Sequence, residues 1–230
     1  MTHPLGGPTL ALDTSGRACG VCVWRDGAVL ARADQAMEHG QAEALAPIVR
    51  AVLADAGLTA TEMTAIAVTV GPGSFTGLRV GLSFARGLAL AAGCPVLGVT
   101  STAVLARMAA AAPPRDTPIA VALDARRAEV FLQVFDADLR AMGEPVSLPP
   151  ADARDSLPKE PTRLTGDGAA LLPALAPHAI TIVPDAERPP DPAILAAMAA
   201  KDPGSALPAR PLYVRPPDAT RPPPDSRSRP

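Results

Sequence analysis

Residues 65–100 read AIAVTVGPGSFTGLRVGLSFARGLALAAGCPVLGVT. AIAVTV is an uncharged run rich in β-branched residues, which suits a strand buried on both faces. Gly71 and Gly73 then turn the chain, and a helical pattern runs from about Phe75 to Ala92 before stopping at Gly93. CPVLGVT forms the next short strand. Strand, helix and strand in that order place the chain in the α/β class.

A glycine-rich turn between strand and helix is a common cradle for phosphate. The spacings here miss both standard patterns. Gly73 to Gly77 is one residue too short for a Walker loop, Gly71 to Gly77 is one too long, and no Lys follows a glycine. A dinucleotide fingerprint needs G-x-G-x-x-G, whereas Gly71, Gly73 and Gly77 give G-x-G-x-x-x-G. Instead Gly77, Gly81, Ala85 and Ala89 recur every four residues, with Arg79, Ser83 and Arg86 toward a different face. Such a stripe admits a close backbone, either of the chain's own sheet or first helix, or of a partner's helix. Spacing alone favours the first.

The pattern extends outward in both directions. PTLALDTS (8–15), ACGVCVWRDG with a hairpin signal at Asp26-Gly27, and AVLARADQA (28–36) read as strands. From Gln41, the residues Leu45, Ile48, Val49, Val52 and Leu53 mark one face of a helix that ends at Gly57, with Pro47 inside as a candidate kink. STAVLARMAAAA reads as a third helix. The first half is therefore β-β-β-α-β-α-β-α. PIAVALDARRAEVFLQVFDAD (118–138), RLTGDGA, AITIVP and the short helix candidates AALLPALA and PAILAAMAA repeat that order in weaker form. The expected organisation is an N-terminal α/β lobe over residues 1–112, a smaller α/β lobe over 113–215, and a disordered Pro/Arg-rich tail over 216–230.

Composition narrows the function. The chain has 230 residues, a net charge of −2 and only 3% aromatics, so no global attraction to nucleic acid exists. Three cysteines do not make a disulfide framework. No apolar run is long enough to span a membrane, and the N-terminus does not read as a signal peptide, so a cytoplasmic location is expected.

Candidate sites are few. Cys19 and Cys22 form C-x-x-C, but in a strand residues three apart face opposite sides, which favours core cysteines over a redox pair. His39 and Glu43, four apart at a helix start, make at most half a metal site; no metal site and no catalytic triad is expected. Asp13, Thr14 and Ser15 end the first strand at a tight turn that could hold Mg²⁺ and phosphate. Asp124 takes the matching place in the second half, beside the bulky Arg126 and Arg127. Gly166 and Gly168 flank Asp167 in a turn that could contact an adenosine or simply reverse the chain.

LALDTSG, EHGQAEALAPIV, VGPGSFTGLRVGLSFARGLALAAGCPVLGVTS and the late PLYVR together resemble the TsaB family, most strongly across residues 8–105. These bacterial proteins are needed for threonylcarbamoylation of adenosine 37 in tRNAs reading ANN codons. The resemblance implies two lobes of the actin and sugar-kinase ATPase type, with mixed sheets flanked by helices. It also implies a non-catalytic scaffold that pairs with the catalytic subunit TsaD, is joined by the ATPase TsaE, and meets tRNA through the complex. TsaD enzymes carry two metal-binding His four residues apart just after the strand resembling CPVLGVT; here Ser101 and Leu105 stand in those places. The family's contact uses the first two helices, about 40–56 and 75–92. That makes Gln41, Leu45, Ile48, Val49, Gly77, Leu78, Gly81, Leu82 and Ala85 the expected partner-binding residues, on a surface that would also support a homodimer. No cofactor is implied for the isolated chain, with ATP or ADP and Mg²⁺ entering at the level of the complex. Two alternatives stand beside this reading. One is an ATP-binding enzyme using Asp13, Thr14, Ser15, Gly166 and Gly168. The other is direct tRNA binding by the tail.

Overall fold

A computed structural model describes residues 6–175 and 179–215; the expected tail and two histidines, His3 and His178, lie outside them. The first half forms β1 (Thr9–Asp13), β2 (Ala18–Arg25), β3 (Ala28–Ala36), α1 (Gln41–Asp55), β4 (Ala65–Gly71), α2 (Phe75–Ala92), β5 (Val96–Thr100) and α3 (Ser101–Ala109). The expected order is present element for element. Helix α1 runs on through Pro47. The Asp26-Gly27 hairpin has both residues at positive φ, the condition for the turn that matches strand twist.

The second half forms β6 (Ile119–Arg126), β7 (Glu129–Phe135), β8 (Val146–Leu148), α4 (Pro150–Asp155), β9 (Thr162–Thr165), β10 (Ile180–Ile182) and α5 (Pro192–Lys201). The long apolar run at 118–138 is thus a strand pair, turning through Arg126, Arg127 and Ala128 at positive φ. AALLPALA, expected as a helix, gives only the 3₁₀ turn Ala169–Leu171, and Pro173 bars its continuation. β8 and α4 were not legible, being three and six residues long.

The two sheets have one topology. The first is ordered β3-β2-β1-β4-β5 and the second, read in the same sense, β8-β7-β6-β9-β10. In each, the central strand pairs antiparallel with its hairpin mate and parallel with the strand beyond the first helix. The half-repeat read from the sequence is therefore an architectural repeat, and the chain has the two-lobed α/β fold expected.

One face of the first sheet, through Leu10, Leu12, Ile66 and Val68, is covered by Leu45 and Val49 of α1 and Leu82 and Ala85 of α2. The other face, Ala11, Ala65 and Ala67, packs on Val104 of α3 and on Leu195, Ala196 and Ala199 of α5. The far side of α3 packs on Ile119, Val121 and Phe135 of the second sheet. So α3 lies between the sheets, while α5 packs on the first sheet and beside α3. This corrects the expected lobe boundary. From α5 onward the chain returns to the first sheet: Leu207 exchanges two backbone hydrogen bonds with Gly98, and the Leu212 N–H donates to Val70 at 2.7 Å. Residues 192–215 belong to the first lobe by packing, since α5 buries Leu195, Ala196 and Ala199 on that sheet and the chain after it bonds to β4 and β5.

Arg163 on β9 locks the junction. It is almost wholly buried, yet it faces carbonyls rather than a carboxylate. Its Nη1 donates to the carbonyls of Ala109 and Ala112 at the end of α3, and its Nη2 and Nε to Thr117. A cation at a helix C-terminus meets carbonyls that have no partner inside the helix. Arg163→Ala removes four hydrogen bonds and leaves a cavity. It is expected to cost ~3–5 kcal/mol in urea unfolding, with Lys recovering only part.

Candidate functional site

Two regions claim attention: the cleft between the lobes and the helix pair α1/α2. Both depend on the loop that leaves β1. There Asp13 is fully buried. Its Oδ1 accepts from the Ser15 hydroxyl at 2.7 Å, the Ser15 N–H at 3.2 Å and the Thr69 hydroxyl at 2.6 Å. Its Oδ2 has no hydrogen-bond partner. Burial raises the carboxyl above its usual range, and these three bonds only partly oppose it. The same loop presses on α2. The Thr14 hydroxyl donates to the Gly77 carbonyl at 2.7 Å. A Cβ on Gly77 would lie 2.0 Å from the Thr14 carbonyl oxygen, and one on Gly81 would lie 2.5 Å from the Thr14 hydroxyl.

The glycine stripe therefore meets the chain's own β1 loop, the reading that spacing favoured. This corrects the expected partner surface. Gln41, Leu45, Val49, Gly77, Leu78, Gly81, Leu82 and Ala85 are all buried against the first sheet or its loop, and Ile48 is half-buried. The physical reason is general: apolar periodicity marks the face a helix turns to its own core. The face available to another molecule is the opposite one. On α1 its exposed residues include Glu43, Ala46, Pro47, Arg50 and Ala51, and on α2 Ser83, Gly87, Leu90 and Ala91, so small side chains are interspersed with two charges and one exposed leucine.

The cleft, about 980 Å³, opens at the carboxyl ends of β1, β6 and β9 and the N-termini of α2 and α3. Its walls carry both charges, partly neutralised in place: Arg126 pairs with Asp124 at 3.1 Å, and Arg17 faces Glu38 at 3.9 Å. The Asp167 Oδ1 accepts from the Asp124 N–H, and burial raises its carboxyl. Ser101 and Leu105 line the cleft from α3, and His39 and Glu43 from the start of α1.

The residues do not fit a Mg²⁺-nucleotide here. Asp13 presents no oxygen to the cleft, and Asp124 is engaged by Arg126. Gly166 and Gly168 face the second sheet: added Cβ atoms would lie 2.0 Å from the Ala122 carbonyl oxygen and 2.6 Å from the Leu123 carbonyl carbon. Their absent side chains admit β6. Cys19 and Cys22 are buried in β2, where burial pushes their thiols to about 11 and about 12; they are core residues. Among the described residues, no group of three or more His, Cys, Asp or Glu is placed to hold a metal.

The structure also assembles a cluster that sequence reasoning missed. Phe75 and Tyr213 bring their rings to 5.5 Å, and the Arg79 guanidinium stacks 3.7 Å above Phe75 while its Nε donates to the Tyr213 hydroxyl. Arg79 and PLYVR were each visible in the sequence, but nothing local joins positions 134 residues apart.

Comparison with known proteins places these features. The family model described as "TsaD: tRNA N6-adenosine threonylcarbamoyltransferase" matches residues 35–161, just over half of the chain. The tRNA threonylcarbamoyladenosine biosynthesis protein TsaB of Escherichia coli (strain K12) is 38% identical over 130 residues, covering 56% of this chain and 55% of that protein. The chain thus spans little more than half the length of that relative. An uncharacterized protein of Mycobacterium tuberculosis (strain ATCC 25618 / H37Rv) is 36% identical over 216 residues, 91% of this chain and 92% of its own. The solved structure of YeaZ from Pseudomonas aeruginosa superimposes with a TM-score of 0.76 at 31% identity, covering 90% of this chain and 99% of that one.

Two outcomes follow from the β1 loop. Gly77→Ala forces its methyl into the Thr14 carbonyl and is expected to cost at least ~1–3 kcal/mol in urea unfolding. Asp13 holds its proton to higher pH in the folded chain than in the unfolded one. Stability it contributes is therefore lost as pH rises from about 4 through its folded pKa. Asp13→Asn is expected to flatten that dependence in melts taken from pH 4 to 8, and unchanged slopes would contradict the assignment.

Proposed function

The chain belongs to the TsaB family, and we propose that it takes part in forming threonylcarbamoyladenosine in tRNA as the non-catalytic partner of a TsaD catalytic subunit. One observation carries the second half of this reading. At the start of α3, where the resemblance places two metal-binding His in TsaD enzymes, this chain presents Ser101 and Leu105 to the cleft. A hydroxyl and an alkyl group cannot replace imidazole at an iron or zinc centre. Among the described residues the one histidine is His39, on the far side of the cleft at the start of α1.

The remaining role is that of a scaffold. The outer face of α1 and α2 meets the helices of TsaD, and the same face supports a homodimer when TsaD is absent. TsaE joins the pair, with ATP or ADP and Mg²⁺ handled at the level of the complex. The modified base is adenosine 37 of tRNAs reading ANN codons, reached through the complex in the cytoplasm. Among the described residues no helix is long and apolar enough to cross a membrane.

Sizing of the purified chain mixed with its cognate TsaD tests the pairing; two folded proteins that elute apart would refute it. Gly81 is unsuitable for a site-directed test, because a side chain there strikes Thr14. Gly87 is suitable: it is exposed, and an added Cβ meets nothing within 4 Å. Gly87→Leu is expected to leave the fold as stable or more stable, since Gly is ~1 kcal/mol worse than an ordinary residue inside a helix. It should weaken the heterodimer at least ~10-fold by overfilling a close helix contact, on the order of 1–3 kcal/mol.

A further inference from the structure

The chain is slightly acidic overall, with a net charge of −2, yet one surface has no acid in its own sequence. Helix α2 carries Arg79 and Arg86 and no Asp or Glu, and residues 203–215, which run alongside it, carry Arg210 and Arg215 and none either. The two segments are joined directly: Arg86 Nη2 donates to the Ala209 carbonyl, and Arg79 Nε to the Tyr213 hydroxyl at 3.0 Å. Arg215 is neutralised by Glu129 at 2.9 Å. Arg79, Arg86 and Arg210 pair with no carboxylate among the described residues.

The aromatic rings on this surface are the second observation. The chain has only six aromatic residues, and two of them, Phe75 and Tyr213, sit side by side at 47% and 41% exposure. Arg79 covers one face of Phe75 and ties down Tyr213, so the rings are ordered before any ligand arrives. Its terminal nitrogens stay available beside them. Ordered rings next to unpaired guanidinium groups match the two parts of a nucleotide, a base to stack and a phosphate to neutralise. Paired bases keep their faces covered, so the fit is to unpaired nucleotides.

We propose that Phe75, Tyr213, Arg79, Arg86 and Arg210 form a contact surface for single-stranded RNA. In the setting of the function proposed above, on which this inference rests for its biological partner, the RNA is an unpaired region of the tRNA presented to the complex. The surface lies at the mouth of the cleft, where Phe75 and Tyr213 form part of the wall.

The test uses the full chain, alone and in its heterodimer with TsaD, and a fluorescein-labelled single-stranded RNA dodecamer with its duplex as comparison. Anisotropy should show the single strand bound more tightly than the duplex. Phe75→Leu and Tyr213→Leu keep apolar bulk but remove the rings, and each should weaken binding ~5- to 100-fold. Arg86→Gln should lower the slope of log affinity against log salt by about 0.7. A dodecamer carrying 5-iodouridine should photocrosslink to Phe75 or Tyr213, a signal that rings serving only to pin the C-terminal segment would not give. Three results overturn the inference: no binding of the single strand by chain or heterodimer, wild-type affinity in a double Leu variant whose melting temperature is unchanged, or loss of TsaD pairing in that variant without change in RNA affinity. Failure of the heterodimer to form, with RNA binding intact and sensitive to these substitutions, would refute the scaffold role and leave the RNA surface standing.

Discussion

The fold hangs on a backbone contact with no room for a side chain. Where β1 ends, the Thr14 and Ser15 carbonyls rest on Gly73 and Gly77 at the start of α2, and the Thr14 hydroxyl reaches the Gly77 carbonyl. That contact seats α2 on β1 and β4. It also buries Asp13 beneath the loop, where its Oδ1 accepts from Ser15 and Thr69 of the same chain. Close packing leaves no slack, since an added methyl must move the backbone. The loop that could have been a phosphate cradle is filled by the neighbouring helix.

The second constraint is the exchange of helices between the lobes. Two sheets of the same topology each offer an inner face, and α3 packs between them, with α5 beside it on the first sheet. Arg163 fastens the end of α3 from the second sheet through four hydrogen bonds to uncharged oxygens. Its location explains how a long charged side chain survives in the core: its guanidinium donates to the Ala109, Ala112 and Thr117 carbonyls and the Thr117 hydroxyl. The cleft above this junction keeps its shape from both lobes, while its own charged walls are largely paired internally.

The inner faces of α1 and α2 are spent on the core, so the partner contact proposed above falls to their outer faces. The edge of α2 beside the C-terminal segment gathers rings and arginines. In the readings proposed above, these adjoining surfaces divide the helix into three zones, one for its own sheet, one for another helix and one for a polyanion.

Much of this was legible in the sequence. The charge-free run at 65–70, the Asp26-Gly27 turn and the 3.6-residue spacing at 41–53 specify elements because they follow from contacts within one strand or helix. The half-repeat was legible for the same reason, and Ser101 and Leu105 marked the absent ligands once the resemblance was in view. Tertiary structure alone decided the rest. The stripe at Gly77 and Gly81 says that something comes close; only the fold shows that it is Thr14. Periodicity finds the apolar face of α1 and α2, but that face is the core, and the surface left over carries no periodic signal. The return of α5 to the first sheet and the meeting of Tyr213 with Phe75 join residues far apart in sequence. Such contacts are selected by how surfaces pack, and local sequence does not encode their partner.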